Sequence, residues 1–280
     1  MNSESTLSRS LANLIVMGLC VASLAVQGQT TDKQAAMIIN NAVDAAGGEK
    51  AWHEKATLVV HETQMREANG MPEPVSLVHY MDTAGKGYRL EMVRSDGDYT
   101  FGWDGHGFWA LKDGRPGDHE LEREARRVIA DAYYRFSLPF VLKKDIEDLE
   151  YAGTDQLDGE VTQVLKISYS QGPADRYFST HNEDSGHNTG ESHGGGSGHH
   201  GNEIYNFHFD EQNRLVKVYF SHHGDGHYET LLLSGIDRVE GILREDTRRM
   251  IRHDGSILYD AEFTHIGFES EKQENFYRQP

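Results

Sequence analysis

From Thr57 onward, apolar and polar residues alternate with a period of two, and turn dipeptides interrupt the alternation at short, regular intervals. Tyr88, Leu90 and Met92, for example, alternate with Arg89, Glu91 and Val93. Successive side chains of a strand point to opposite faces, so a chain patterned this way is driven to build a sheet with one apolar face. The spacing predicts strands near 57–65, 75–82, 87–94, 99–103 and 107–112, separated by Asn69-Gly70, Gly85, Asp96-Gly97, Asp104-Gly105 and Asp113-Gly114. Further strands are predicted near 161–169, 204–209, 214–221, 228–234, 242–252 and 257–267. Connections this short join antiparallel neighbours and make a meander.

Two stretches follow a helical period instead. Thr31 with Gln34 has the form of a capping box, and Ala35, Ile38, Ile39, Ala42 and Ala46 recur at helical spacing up to a stop at Gly47-Gly48. A second helix is predicted from about Asp118 to Phe136, with Leu121, Ala125, Val128, Ile129, Ala132 and Tyr133 on one face and Pro139 ending it. Arg123, Arg126 and Arg127 form its wet face, balanced by Glu120, Glu122 and Glu124. About eleven antiparallel strands must cover their apolar side, and only these two helices or closure of the sheet on itself can do so. The predicted fold is therefore mainly β (α+β): a single curved antiparallel sheet of about eleven strands forming an incomplete barrel, covered by two helices. Such a shape holds a hydrophobic ligand between sheet and helices, or side chains fill the space; the pattern alone leaves both open. Phe101, Trp103, Phe108 and Trp109 stand at strand spacing and are assigned to the core.

Arg9, the apolar run from Leu11 to about Val26, and the small residues Ser23, Ala25 and Gly28 have the order of a secretory signal. Residues 1–28 are read as that signal, with cleavage after Ala25 or Gly28, because the run falls short of the ~20 residues a membrane-spanning helix needs. The sole cysteine, Cys20, lies inside it behind the bulky Leu19, which disfavours lipidation. An exported product without it has no disulfide, thiolate ligand or cysteine nucleophile. Residues 29–280 then form one domain, because the only low-complexity stretch, the His/Gly-rich segment at 172–203, sits between two strands as an inserted loop. The 45 acidic residues exceed the 27 basic ones, for a net charge of −18, which excludes nucleic acid as a partner.

Nine of the 16 histidines fall between His181 and His227. His181, His187, His193 and His199 recur every six residues, with His200 adjacent. A second group, His222, His223, Asp225 and His227, occupies a predicted tight turn, and His253 another. Loops of a meander alternate between the two ends of the sheet, and counting strands places all three His-bearing loops at one end. Imidazoles and carboxylates suit Zn, Ni or Cu(II), so this rim is a candidate metal site. His53, His61, His79, His106, His119, His208 and His265 are scattered and are read as surface or hydrogen-bonded core residues.

Several pieces combine into a family pattern. The opening helix ends in Gly47-Gly48-Glu49-Lys50-Ala51-Trp52, and a strand-turn-strand unit reads Trp103-Asp104-Gly105-His106-Gly107-Phe108-Trp109. Leu138-Pro139-Phe140 follows the second helix, then Leu157-Asp158-Gly159, Phe209-Asp210 with Leu215, and Val239-Glu240-Gly241-Ile242. This order, over residues 32–268, resembles the LolA/LolB-like proteins of the bacterial periplasm, half-barrels covered by helices. The resemblance implies a periplasmic carrier that holds a lipid or other hydrophobic group, with a lipoprotein or outer-membrane partner. The His-rich insertion departs from that pattern and motivates a second expectation, an exported metal-buffering or metal-sensing module. Catalytic signatures are missing: His53-Glu54 and His61-Glu62 lack a second histidine four positions after the first, and neither a nucleophile elbow nor a phosphate loop occurs. The chain is therefore read as a non-enzyme, and a metal-dependent hydrolase is the third expectation, requiring an open coordination position on the His rim.

Overall fold

The computed structural model describes residues 33–68, 71–169, 203–221, 228–270, 272 and 275–280. Helix α1 spans 33–45 and a short α2 follows at Glu49–His53. Between them Gly47 takes φ +119°, and a Cβ there would stand 2.6 Å from the Gly241 carbonyl oxygen, so only glycine fits. Six strands come next: β1 (Thr57–Ala68), β2 (Met71–Asp82), β3 (Tyr88–Arg94), β4 (Gly97–Trp103), β5 (Phe108–Lys112) and β6 (Arg115–Pro116). Helix α3 (His119–Ser137) begins at Asp118, whose carboxylate accepts from the Leu121 backbone N–H at 3.0 Å, and ends at Leu138, held extended ahead of Pro139. A 3-10 helix over Phe140–Asp148 completes the helical cover.

The second half contributes β7 (Glu150–Leu157), β8 (Glu160–Tyr169), β9 (Glu203–Phe209), β10 (Leu215–Ser221), β11 (Tyr228–Ser234), β12 (Asp237–Val239), β13 (Ile242–Arg244), β14 (Thr247–Arg252) and β15 (Ile257–Glu269). Thirteen strands form one antiparallel sheet in the order β6-β5-β4-β3-β2-β1-β15-β14-β11-β10-β9-β8-β7, with β12 and β13 paired as a separate ribbon. The end strands do not pair with each other, so the barrel is open. The last strand in chain order, β15, lies in the middle, bonded to β1 on one side and β14 on the other. An irregularity opposite His61/Glu62 keeps Ile266 and Phe268 on the inner side along with Phe263 and Ala261, as a bulge does when it resets side-chain parity.

The predicted incomplete barrel and its helical cover are present, with three differences of detail. The sheet has thirteen strands where about eleven were expected. Glu150–Leu157 is a strand that alternation missed, because it is an edge strand whose side chains are largely exposed. The single strand expected over 242–252 is two, since the chain turns at Glu245-Asp246, where the Asp246 N–H donates to the Ser234 carbonyl and its own carbonyl accepts from Phe263. Arg123, Arg126 and Arg127 are exposed, as expected of the wet face of α3.

Candidate functional site

The inner face is not uniformly apolar. One buried cluster gathers Leu58, Tyr88, Leu90 and Phe101 of the first half beneath Ala125, Ile129 and Phe136 of α3. A second gathers Leu165, Phe207, Phe209 and Leu231 beneath Ile38, Ile39 and Ala42 of α1. Full burial of each such large side chain contributes about 1.5–3 kcal/mol, so both clusters hold the helices to the sheet. The inner face also carries a polar seam. Leu58, Val60, Glu62, Gln64 and Arg66 share one parity on β1, and Arg248 and Tyr259 join them from β14 and β15.

Glu62 and His79, 4% and 3% exposed, meet with Oε2 and Nε2 3.0 Å apart. His79 Nδ1 lies 2.8 Å from the Tyr88 hydroxyl, and the Gln64 amide donates to Glu62 Oε1 at 2.5 Å. Burial on its own would raise the Glu62 carboxyl, but the His79 hydrogen bond and the charges of His79 and Arg248 outweigh it and hold the carboxyl below its ordinary value. Burial, reinforced by the Glu62 charge, pushes the Tyr88 phenol well up. Arg248 is buried over the rings of Phe136 and Phe263 at 4.4 and 5.0 Å, and its Nε donates to Glu245 at 2.5 Å. Burial pulls its guanidinium down, yet Glu245 and Glu62 more than compensate and keep it charged. Arg135 of α3 donates to the Tyr259 hydroxyl and pairs with Asp131, so the roof is also tied to the seam.

A small pocket of about 40 Å³ lies among Ala42 and Ala46 of α1, the Leu138-Pro139 turn and Leu243. Arg135, Arg214, Arg244 and Glu245 also line it. A wider groove of about 590 Å³ lies on the opposite side of the sheet, between Thr63, Met65, Leu232, Arg249, Asp260 and Glu262. Arg249 crosses that groove with both Nε and Nη2 on the Asp260 carboxylate, at 2.6 and 3.1 Å.

The histidines expected to bind metal divide by position. His181, His187, His193, His199, His200, His222, His223, Asp225 and His227 lie outside the described residues, as do residues 1–28 and the Asn69-Gly70 turn. His253 is exposed in the turn after β14, with its ring 6.2 Å from that of Tyr228. The strand ends flanking the three His-bearing loops meet at one end of the sheet, through the pairs Tyr169–Glu203, Ser221–Tyr228 and Glu229–Arg252. Among the described residues, no three His, Cys, Asp or Glu side chains cluster as a metal centre requires. His61 and His265 stack edge to face at 5.1 Å across β1 and β15. His79 and His208 are buried and hydrogen-bonded, the role expected of them. Glu62, Arg244 and Arg248 were not singled out in the sequence. Their signal is parity: each is a charged residue at a strand position where the alternation calls for an apolar one.

No protein-family model and no curated protein matches the sequence. Solved structures do. An outer membrane lipoprotein-sorting protein domain from Vibrio parahaemolyticus matches with a TM-score of 0.50 at 14% identity, over 88% of this chain and 97% of that one. A LolA superfamily protein from Nitrosomonas europaea matches at 10% identity and a TM-score of 0.48, over 88% and 97%. A DUF1329 family protein from Desulfovibrio piger matches at 12% identity and a TM-score of 0.45, over 87% and 97%. The open antiparallel sheet with its helical cover is thus a LolA-like fold, and at these identities the likeness is one of fold.

Proposed function

We propose that this protein is an exported carrier that holds a lipid acyl chain or similar apolar group between the inner face of its half-barrel and the helices that cover it. The observation that carries the reading is the division of the buried core: two distinct apolar clusters, to each of which α1 and α3 contribute, pack the helices against an inner face that also buries the polar Glu62, His79 and Arg248. Small-molecule sites measure roughly 300–1,000 Å³, far above the 40 Å³ of the inner pocket, so cargo enters only when a helix lifts from one cluster. The likeness to a lipoprotein-sorting domain supports the same reading, and the signal-like pattern of residues 1–28 supports a periplasmic setting. Among the described residues no helix is long and apolar enough to cross a membrane.

The test is chemical. Protein purified without detergent is extracted with organic solvent, and the delipidated chain is then offered the uncharged dye N-phenylnaphthylamine. Acyl chains in the extract, together with dye fluorescence that added lipid displaces, are the expected result. Absence of both overturns the carrier reading.

A further inference from the structure

Of the two arginines buried among the described residues, Arg244 and Arg248, one has no ion-paired anion there. Arg135 is paired with Asp131, Arg214 Nε donates to Asp210 at 2.7 Å, and Arg248 Nε donates to Glu245 at 2.5 Å. Arg244, by contrast, is 4% exposed, and its Nε and Nη2 are enclosed without a hydrogen-bond partner among the described residues. Its guanidinium lies over the ring of Trp52 at 4.7 Å and that of Phe140 at 6.0 Å. Burial draws its pKa down to about 10, with the Glu245 charge opposing and the Arg248 charge assisting. A buried guanidinium with no acceptor is strongly unfavourable unless a partner arrives. The two unpartnered donors share one edge of the guanidinium, and that edge is the one a carboxylate bridges with both oxygens. Arg244 also lines the inner pocket, beside the already paired Arg135, Arg214 and Glu245, and the apolar part of the wall continues through Leu215, Leu233 and Leu243. A cation at the end of a greasy wall complements a long-chain acid. The pocket's 40 Å³ compares with roughly 30 Å³ for a water molecule, which suits a carboxylate but not a chain, so the tail must part the cover.

We propose that Arg244 is a head-group anchor, receiving the carboxylate of a long-chain acid whose hydrocarbon tail runs along the Leu215, Leu233 and Leu243 wall. This rests on the carrier reading and narrows its cargo to amphiphiles with an anionic end. The test measures displacement of N-phenylnaphthylamine from the delipidated full chain at about pH 8, where the acid is ionised. Palmitate, methyl palmitate and acetate are compared. Palmitate is expected to bind at least about tenfold more tightly than its methyl ester, as a charged hydrogen-bonded pair implies. In Arg244→Met the acid and the ester should bind alike, and Arg244→Lys should recover only part of the preference, having lost the fork. Equal binding of acid and ester by the unsubstituted protein overturns the anchor while leaving the carrier reading intact, and it does so without any variant. Failure of both to bind overturns the carrier reading and the anchor with it. A preference that survives Arg244→Met, or displacement of palmitate by acetate at equal concentration, overturns the assignment to an acyl-chain acid at Arg244.

Discussion

Glu62 accepts from Gln64 at 2.5 Å and pairs with His79 at 3.0 Å while almost fully enclosed, so its charge is balanced by these neighbours together with the nearby Arg248 and Arg66. Breaking a buried pair by neutralising one member leaves the other uncompensated, at a loss of about 3 kcal/mol or more. Glu62→Gln should therefore lower the free energy of unfolding in urea by that order, and a change below about 0.5 kcal/mol would contradict the pairing. The pH dependence has a definite sign. The folded pKa of Glu62 lies below the ordinary 4.5, so its contribution is complete above pH 4.5 and is lost as pH falls through the folded value. His208 acts in a higher window. Burial first, and the Lys217 charge second, depress its imidazole from 6.5 to about 4 against the opposing pull of Asp155. The unfolded chain then takes up a proton that the folded chain refuses, so stability declines as pH falls from 6.5 to about 4. An NMR titration should place the His208 midpoint near 4, and a midpoint near 6.5 would refute the depression. Neither effect was legible in the sequence. Scattered histidines announce little, and Glu62 and Arg248, far apart in sequence, are brought near each other only by the sheet.

At the level of elements, local chemistry was the readable part. The periodicities and the glycine stops each act within a few residues, which is why helices and most strands stand where the pattern put them. Asp118→Ala should remove one satisfied backbone donor from α3 and reduce stability by about 1 kcal/mol, seen as an earlier urea midpoint with an unchanged slope. Pieces held by distant contacts were less readable. The segment 275–280 packs across the sheet: the Tyr277 carbonyl accepts from the Trp109 indole at 2.8 Å, and its hydroxyl lies 3.1 Å from that of Thr57. Trp109, read as core, is indeed buried, but under this segment, apart from the cluster beneath α3. Gly87 permits the arrangement, since a Cβ there would come within 2.4 Å of the Tyr277 ring. Gly87→Ala should displace the segment. Limited proteolysis is expected to release the residues after Glu269 faster than in the parent chain, and equal rates would show that the close approach is dispensable.

Across the whole molecule, one strand decides whether two halves make one sheet. β15 pairs with β1 through ten residues of the first meander and with β14 of the second. Ending the chain before Ile257 should abolish cooperative unfolding, whereas removing only 275–280 should preserve it; a sharp urea transition in the shorter chain would mean that the halves fold independently. The alternation told that this strand exists but not where it sits, since sheet order depends on pairings between residues far apart in sequence. The position of β15 also governs the order of events during synthesis. Until Ile257–Glu269 arrives, the margin of β1 stays unsealed, with a row of unmet amides exposed to any neighbour. A half-made chain is thus the form most prone to stick to its copies, and the closing stitch is delivered late.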